Sequence, residues 1–180
     1  MKTFKVPSPD EVSPESKVIF DQIRKHLGKL PNLYATIGYS PRTLKGYLEF
    51  DAAIDAGVFS SIEKEAIKLV VSEVNKCDYC LAAHTLIAKS KGISRDDTVA
   101  FRKGYAANVK LDTLVKLARE ITLERGNVDE QLFDQFFELG YDEAALIDLV
   151  GLVTTMTFTY YIYALTKVPL DFPEAEPLSF

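Results

Sequence analysis

The sequence contains no tryptophan and only two cysteines, two histidines and two methionines in 180 residues. It also lacks a surplus of positive charge, because 21 Lys and Arg face 26 Asp and Glu, giving a net charge of -5. This balance argues against a surface that binds nucleic acid or an anionic membrane. Residues 1–17 lack the apolar core of a signal peptide, so we expect a cytoplasmic, reducing location. In that compartment a structural disulfide is not the default role of two cysteines.

Large apolar side chains come instead from nine tyrosines and eleven phenylalanines, and hydrophobic residues make up 47% of the chain. That is enough for the core of one domain of ordinary size. No segment has the alternation and turn spacing of a β-sheet, and no convincing repeat is present. We therefore predict one all-α domain over residues 1–180, with an extended arm at 1–13 and an extended tail at 168–180 that covers a neighbour.

Capping residues and the helical spacing of apolar residues predict a bundle of about seven or eight helices. Ser60 and Glu63 form the pattern of a capping box in front of a strongly apolar stretch. Residues 31–40 are expected to form a loop or a short turn, after which Ser40 caps the next helix. The predicted helices span about residues 14–27, 41–57, 62–76, 78–90, 95–104, 111–125, 129–139 and 142–167.

Residues 144–165 form the most apolar stretch and are long enough to raise the question of a transmembrane helix. The stretch contains Asp148 and four threonines, and few positive residues flank it. We predict a buried helix of the protein core or of a subunit interface, with no membrane partner.

Both cysteines of the chain lie in one short motif, Cys77-Asp78-Tyr79-Cys80, and His84 follows one helical turn later. If the segment is helical, Cys77, Cys80 and His84 occupy one face within about 60° of arc. Free backbone N–H groups at a helix start stabilise a thiolate, and a neighbouring imidazole can take its proton. The second sulfur is then placed to close a disulfide.

Other interpretations compete with a reactive dithiol. Two core cysteines beside a hydrogen-bonded histidine are a plain alternative. Structural zinc needs four ligands, so Glu65 or the distant His26 would have to join the three motif residues. A c-type haem is excluded, because Leu81 occupies the place directly after Cys80 where the histidine is required. A thioredoxin-like fold needs a strand before the motif, whereas a capped helix precedes it here.

Glu65 is a candidate proton carrier, because it lies twelve residues before Cys77 at the edge of the buried third helix. A carboxyl group at a core boundary is expected to have a raised pKa and to pass protons to a thiol centre. The plain alternative is that a glutamate in the first turns of a helix only complements the helix dipole. Glu73 is a rival proton carrier, since it points among the apolar residues of the same helix.

The stretch from Glu65 to His84 resembles the alkylhydroperoxidase D-like branch of the carboxymuconolactone decarboxylase superfamily. It reproduces that family's glutamate and its VS-x-x-N-x-C-x-Y-C-x-x-x-H core, here Val71 to His84, with the same intervals. Pro31-Asn32, Ser40-Pro41 and Phe59-Ser60 also look like this group. The core match covers about a ninth of the chain.

The resemblance implies a role for each motif residue. Cys80 would be the peroxidatic thiolate and would become a sulfenic acid, and Cys77 would resolve it as a Cys77–Cys80 disulfide. His84 and Glu65 would form the proton relay. The best-studied peroxidases of the family have a histidine just before the second cysteine, where this chain has Tyr79. Tyr79 can donate a hydrogen bond but does not titrate near neutral pH.

The resemblance also implies an all-α fold that assembles as a dimer, trimer or hexamer, without a metal or organic cofactor. The expected function is a thiol-dependent peroxidase that reduces hydroperoxides. A lipoyl group, a thioredoxin-like protein or a peroxiredoxin system would be the thiol partner. The alternatives are a disulfide reductase and a helical oligomer that senses oxidation or binds metal. Decarboxylation is not expected, because the namesake decarboxylases generally lack the cysteine pair.

Overall fold

Helices account for all regular secondary structure in the part of the chain that the computed structural model describes, residues 4–178. A short 3-10 helix at Pro9–Glu11 precedes nine α-helices. These are α1 (Pro14–Leu27), α2 (Asn32–Ile37), α3 (Pro41–Asp55), α4 (Ser61–Val74), α5 (Asp78–Ser90), α6 (Arg95–Lys103), α7 (Val109–Glu124), α8 (Glu130–Glu138) and α9 (Glu143–Thr166). The all-α prediction is confirmed.

Local capping determines where most of these helices begin. Ser60 accepts the backbone N–H of Glu63, and the Glu63 carboxylate accepts the N–H of Ser60, which completes the predicted capping box. Asp142 caps α9 in the same way through the N–H of Ala145. Among the α-helices of residues 4–178, only α2 has no side-chain cap from its own N-cap residue, which is Pro31.

Helix α2 corrects the expectation of a loop or short turn at residues 31–40. Four of its six residues are buried, namely Leu33, Ala35, Thr36 and Ile37. Apolar contact therefore stabilises this segment more than local sequence does, since isolated helices of this length are unstable in water. A helix of six residues with an uncapped start carries a weak sequence signal.

The core is built around α4, which packs against α5, α6, α7 and α9. Ala66, Ile67, Leu69, Val70 and Val71 are all completely shielded from solvent. Burial of each large aliphatic side chain contributes about 1.5–3 kcal/mol relative to exposure. The predicted deep burial of this helix is confirmed, and it places one rigid element behind the cysteine motif.

Helix α9 is long and apolar enough to cross a membrane by length and composition alone. One of its faces belongs to the protein core, where Leu149 and Leu152 are fully buried. Asp148 accepts the backbone N–H of Val58 at 2.9 Å, so the polar residue of the stretch has a partner. The opposite face exposes Ile147 and Leu165 in the single chain, so burial of this face in a subunit interface stays a prediction.

The two predicted terminal segments extend beyond the described residues, because 1–3 and 179–180 lie outside them. The described part of the tail lies against helices of its own chain, and the expected contact with a neighbouring subunit stays a prediction. Val168 is buried in the core of its own chain, and the Glu176 carbonyl accepts a hydrogen bond from Arg102 at 2.8 Å. The tail folds back because the α1–α2 loop, α2, α5 and α6 offer it hydrogen-bond partners.

Two glycine substitutions test this packing in opposite directions. A Cβ atom at Gly38 would overlap the ring of the fully buried Phe20, so Gly38→Ala is expected to destabilise the protein by about 1–3 kcal/mol.

A Cβ atom at Gly46 would meet nothing within 4 Å on the exposed side of α3. Gly46→Ala is therefore expected to stabilise the protein by about 0.5–1 kcal/mol. Urea unfolding followed by circular dichroism measures both, and a Gly38→Ala protein as stable as wild type would contradict the packing.

Candidate active site

The turn between α4 and α5 places the two cysteines. Lys76 takes a left-handed conformation with φ of 54°, and the Cys77 N–H donates to the Ser72 carbonyl at 3.0 Å. This is the hydrogen bond of a helix C-terminal Schellman motif, in which glycine is the usual left-handed residue. The chain thus leaves α4 in one tight turn, and Cys77 becomes the N-cap residue of α5.

The cysteine pair forms a disulfide across the first turn of α5, with the Cα atoms of Cys77 and Cys80 5.2 Å apart. The Cys77 sulfur accepts the backbone N–H of Cys80 at 3.3 Å, so it replaces the oxygen of an ordinary N-cap. Cys77 has no exposed surface, whereas Cys80 lines a cavity together with His84. The cavity therefore gives a small molecule access to Cys80 and not to Cys77.

His84 is held from behind by a buried carboxylate. Its Nδ1 atom lies 3.0 Å from Oε2 of Glu65, and Lys91 Nζ donates to Oε1 of the same carboxylate at 2.8 Å. The Glu65 side chain is only 2% exposed. A carboxylate only accepts hydrogen bonds, so Nδ1 of His84 carries a hydrogen and Nε2 is the atom left to exchange a proton.

The expected raised pKa of Glu65 is wrong. Burial does raise the pKa of this carboxyl, but the hydrogen bonds from His84 and Lys91 and the charges of His84 and Lys68 lower it to about 2. Glu65 is therefore ionised at neutral pH and orients the His84 ring without passing a proton itself. The overlooked residue is Lys91, which ends α5 eleven residues after Cys80 and on the same helical face.

Tyr79 lines the same cavity, but its hydroxyl is occupied elsewhere. It accepts the backbone N–H of Leu33 at 3.2 Å and donates to Oδ1 of Asp171 at 2.5 Å. Burial, together with the hydrogen bond to Asp171, raises the pKa of Tyr79 above its usual range. The phenol stays protonated, and with Asp171 it supplies the cap that α2 lacks.

The rival proton carrier Glu73 faces away from the cysteine cavity. It accepts a hydrogen bond from Arg102 Nε at 2.7 Å, and it lines a different cavity together with Asp78 and tail residues. His26 lies on a separate groove beside Ile23 and Leu48. Within residues 4–178 no group of three or more His, Cys, Asp and Glu side chains could hold a metal ion. The zinc interpretation therefore finds no ligand set in the described chain.

The cavity in front of Cys80 and His84 has a volume of about 420 Å³. Its walls are mainly aromatic and aliphatic, and sequence reasoning identified few of them. On the polar side, the Thr159 hydroxyl lies 3.7 Å from the Cys80 sulfur. The remaining walls include Leu33, Tyr34, Tyr47, Lys68, Ile87, Met156 and Phe172. Such a chamber suits a small organic molecule with an apolar body.

The protein is therefore an all-α protein with a buried cysteine pair, one helical turn from a histidine that is bound to a carboxylate. Residues 41–120 match the Carboxymuconolactone decarboxylase family. The matched segment contains Glu65, Cys77, Cys80, His84 and Lys91. It confirms the resemblance predicted from the motif. No curated protein matches the chain significantly.

Solved structures share the fold over nearly the whole chain. A cysteine-to-alanine variant of the debrominase Bmp8, in complex with 2,3,4-tribromopyrrole, superimposes with a TM-score of 0.80 at 21% identity and covers 95% of this chain and 93% of its own. An uncharacterized peroxidase-related protein from Silicibacter sp. TM1040 gives 0.80 at 19% identity, covering 93% of this chain and 90% of its own. An alkylhydroperoxidase AhpD core protein from Ralstonia eutropha JMP134 gives 0.80 at 17% identity, covering 93% and 91%. The superpositions establish a common fold.

The low pKa of Glu65 predicts a specific acid sensitivity. A carboxyl whose pKa falls from 4.5 to about 2 on folding stabilises the protein above pH 4.5, and this stability is lost as the pH falls toward 2. Between about pH 5.5 and pH 3, wild type is expected to lose about 2 kcal/mol more than Glu65→Gln. Glu73→Gln, on the same helix, is the matched control and should keep the extra loss. Urea unfolding at each pH measures it, and equal slopes for wild type and Glu65→Gln would refute the assignment.

Proposed function

We propose that the protein is a thiol-dependent peroxidase that reduces hydroperoxides through a Cys77–Cys80 dithiol cycle. The observation that carries this proposal is the shared cavity of Cys80 and His84, with His84 held by the ionised Glu65. This arrangement supplies a nucleophile, a base within one helical turn of it and a chamber for the oxidant.

The first step oxidises Cys80. Nε2 of His84 takes the Cys80 proton, and the thiolate attacks the terminal oxygen of the hydroperoxide. A sulfur–oxygen bond forms and the oxygen–oxygen bond breaks, which gives a sulfenic acid and an alkoxide. The alkoxide leaves as the alcohol after it receives the proton held by His84. Glu65 stabilises the imidazolium during this transfer without titrating.

The second step closes the disulfide. The Cys77 sulfur attacks the sulfenic sulfur of Cys80, and hydroxide leaves as water with the Cys77 proton. The 5.2 Å separation of the two Cα atoms allows this closure without movement of the helix. A dithiol donor of the lipoyl or thioredoxin-like kind, or a peroxiredoxin system, then reduces the disulfide. The sum is hydroperoxide plus dithiol giving alcohol, water and disulfide.

Serine substitutions separate the two sulfur roles. Cys80→Ser is expected to lower peroxide turnover with a dithiol donor by at least about a thousandfold, because it removes the nucleophile. Cys77→Ser is expected to allow one oxidation, which dimedone traps as a sulfenic acid at Cys80 without further turnover. Stopped-flow rates with hydrogen peroxide and cumene hydroperoxide, and mass spectrometry of the trapped residue, measure both effects.

The same variants decide between the peroxidase and its alternatives. Full peroxide turnover by Cys80→Ser would exclude the peroxidatic assignment. Rapid reaction of the reduced wild type with a disulfide, combined with no reaction with either peroxide, would indicate a disulfide reductase. Oxidation of the dithiol by peroxide without sustained turnover in the presence of a dithiol donor would indicate a redox sensor.

Reductive dehalogenation is a second candidate, favoured by the aromatic walls Tyr34, Tyr47 and Phe172 beside the dithiol. The chain shares its fold with a debrominase that binds 2,3,4-tribromopyrrole, which makes this compound a suitable probe. The dithiol would supply two electrons, so that aryl bromide and two thiols give arene, hydrogen bromide and the Cys77–Cys80 disulfide. Incubation of the reduced protein with 2,3,4-tribromopyrrole is then expected to release one bromide per dithiol. Ion chromatography measures the release of bromide. Release at the wild-type level by Cys80→Ser would refute this activity.

A further inference from the structure

The C-terminal strap, residues 168–173, runs beside the cysteine cavity and contributes Phe172 to its wall. It is anchored at its start by Val168, which is 3% exposed, and its Leu170 and Phe172 side chains pack against the core. The Phe172 ring lines the cavity that contains Cys80 and His84. Most of the other walls lie on helices, whereas the strap has no regular secondary structure.

The strap is fixed by the side chain that precedes Phe172. One carboxylate oxygen of Asp171 accepts the Tyr79 hydroxyl at 2.5 Å, and the other lies 3.0 Å from Lys29 Nζ. The Asn32 N–H also points at this carboxylate, at 3.3 Å. Lys29 Nζ donates in addition to the Asp171 carbonyl at 2.7 Å. Charge-assisted hydrogen bonds of this kind are stronger than neutral ones.

The orientation of the Phe172 ring follows from the same two anchors. Tyr79 meets it edge to face, with ring centroids 5.5 Å apart. The Lys29 ammonium lies 3.6 Å from the ring centroid, which is a favourable cation–π position. The phenyl ring is therefore clamped at the wall of the cavity and cannot swing away while Tyr79, Asp171 and Lys29 hold their contacts.

We propose that Phe172 is the specificity-determining residue of this site and that Tyr79 and Asp171 are positioning residues for it. The clamped ring limits the bulk of the molecule that reaches Cys80. The natural oxidant is accordingly a compact one, such as a short-chain hydroperoxide, and a molecule with several fused rings reaches Cys80 more slowly. The naming of an oxidant rests on the proposed peroxidase function, whereas the control of access to Cys80 does not.

A pair of thiol reagents with the same chemistry and different size tests the wall directly. Reduced protein is alkylated with N-ethylmaleimide and with N-(1-pyrenyl)maleimide, and mass spectrometry confirms modification at Cys80. Phe172→Ala is expected to raise the ratio of the pyrenyl rate to the ethyl rate by about fivefold, equivalent to about 1 kcal/mol of barrier. Tyr79→Phe and Asp171→Asn should raise it in the same direction by a smaller factor. Phe50→Ala, on the exposed side of α3, is the matched control.

An unchanged ratio in folded Phe172→Ala would overturn the proposal, with folding checked by circular dichroism. If that variant does not fold, Tyr79→Phe and Asp171→Asn decide, and an unchanged ratio in both overturns it equally. The same variants are assayed with cumene hydroperoxide and hydrogen peroxide, whose rate ratio should shift toward cumene hydroperoxide. A maleimide ratio that moves while neither peroxide reacts would refute the peroxidase function and leave the wall established.

Discussion

The buried carboxylate of Glu65 is the interaction on which the site depends. An ionised carboxylate removed from water costs several kcal/mol unless it is paired and hydrogen-bonded. Glu65 meets that requirement with His84 on one oxygen and Lys91 on the other. His84 lies on α5 and Lys91 is its C-cap residue, so satisfying one carboxylate of the central helix α4 fixes the rotation of α5 about its axis. That rotation turns Cys80, on the same helical face, toward the cavity.

A second polar cluster joins three segments that are far apart in the chain. The Tyr79 hydroxyl lies between the Leu33 N–H and the Asp171 carboxylate, and so links α5, α2 and the C-terminal strap. It supplies the cap that α2 cannot provide for itself and holds the strap at the cavity. The two clusters act on adjacent residues of α5, because Tyr79 directly precedes Cys80. The scaffold thereby fixes both the orientation of the thiol and the space in front of it.

A feature could be predicted from the sequence when the residues that determine it lie close together along the chain. The capping box of Ser60 and Glu63 lies within four residues, so the start of α4 was predictable. Helix α2 was missed because its N–H groups find partners 46 and 139 residues away. The motif also identified the Cys77–Cys80 pair, and the family resemblance grouped His84 with Glu65, which are in contact. The direction of the Glu65 pKa was wrong because the hydrogen bonds from His84 and Lys91, 19 and 26 residues further on, outweigh the effect of burial.

The presence of tyrosine at position 79 restricts how protons can move in the proposed cycle. The peroxidases that the cysteine motif resembles carry a histidine at this place, which gives them a second titratable group beside the second cysteine. Here the phenol is held between a backbone donor and a carboxylate, and its pKa is raised above the usual range. It therefore exchanges no proton near neutral pH. Glu65 is also fixed in its charged form, because its pKa is lowered to about 2. Of Tyr79, Glu65 and His84, only His84 is then left, in the proposed cycle, to take the thiol proton from Cys80 and return it to the departing alkoxide.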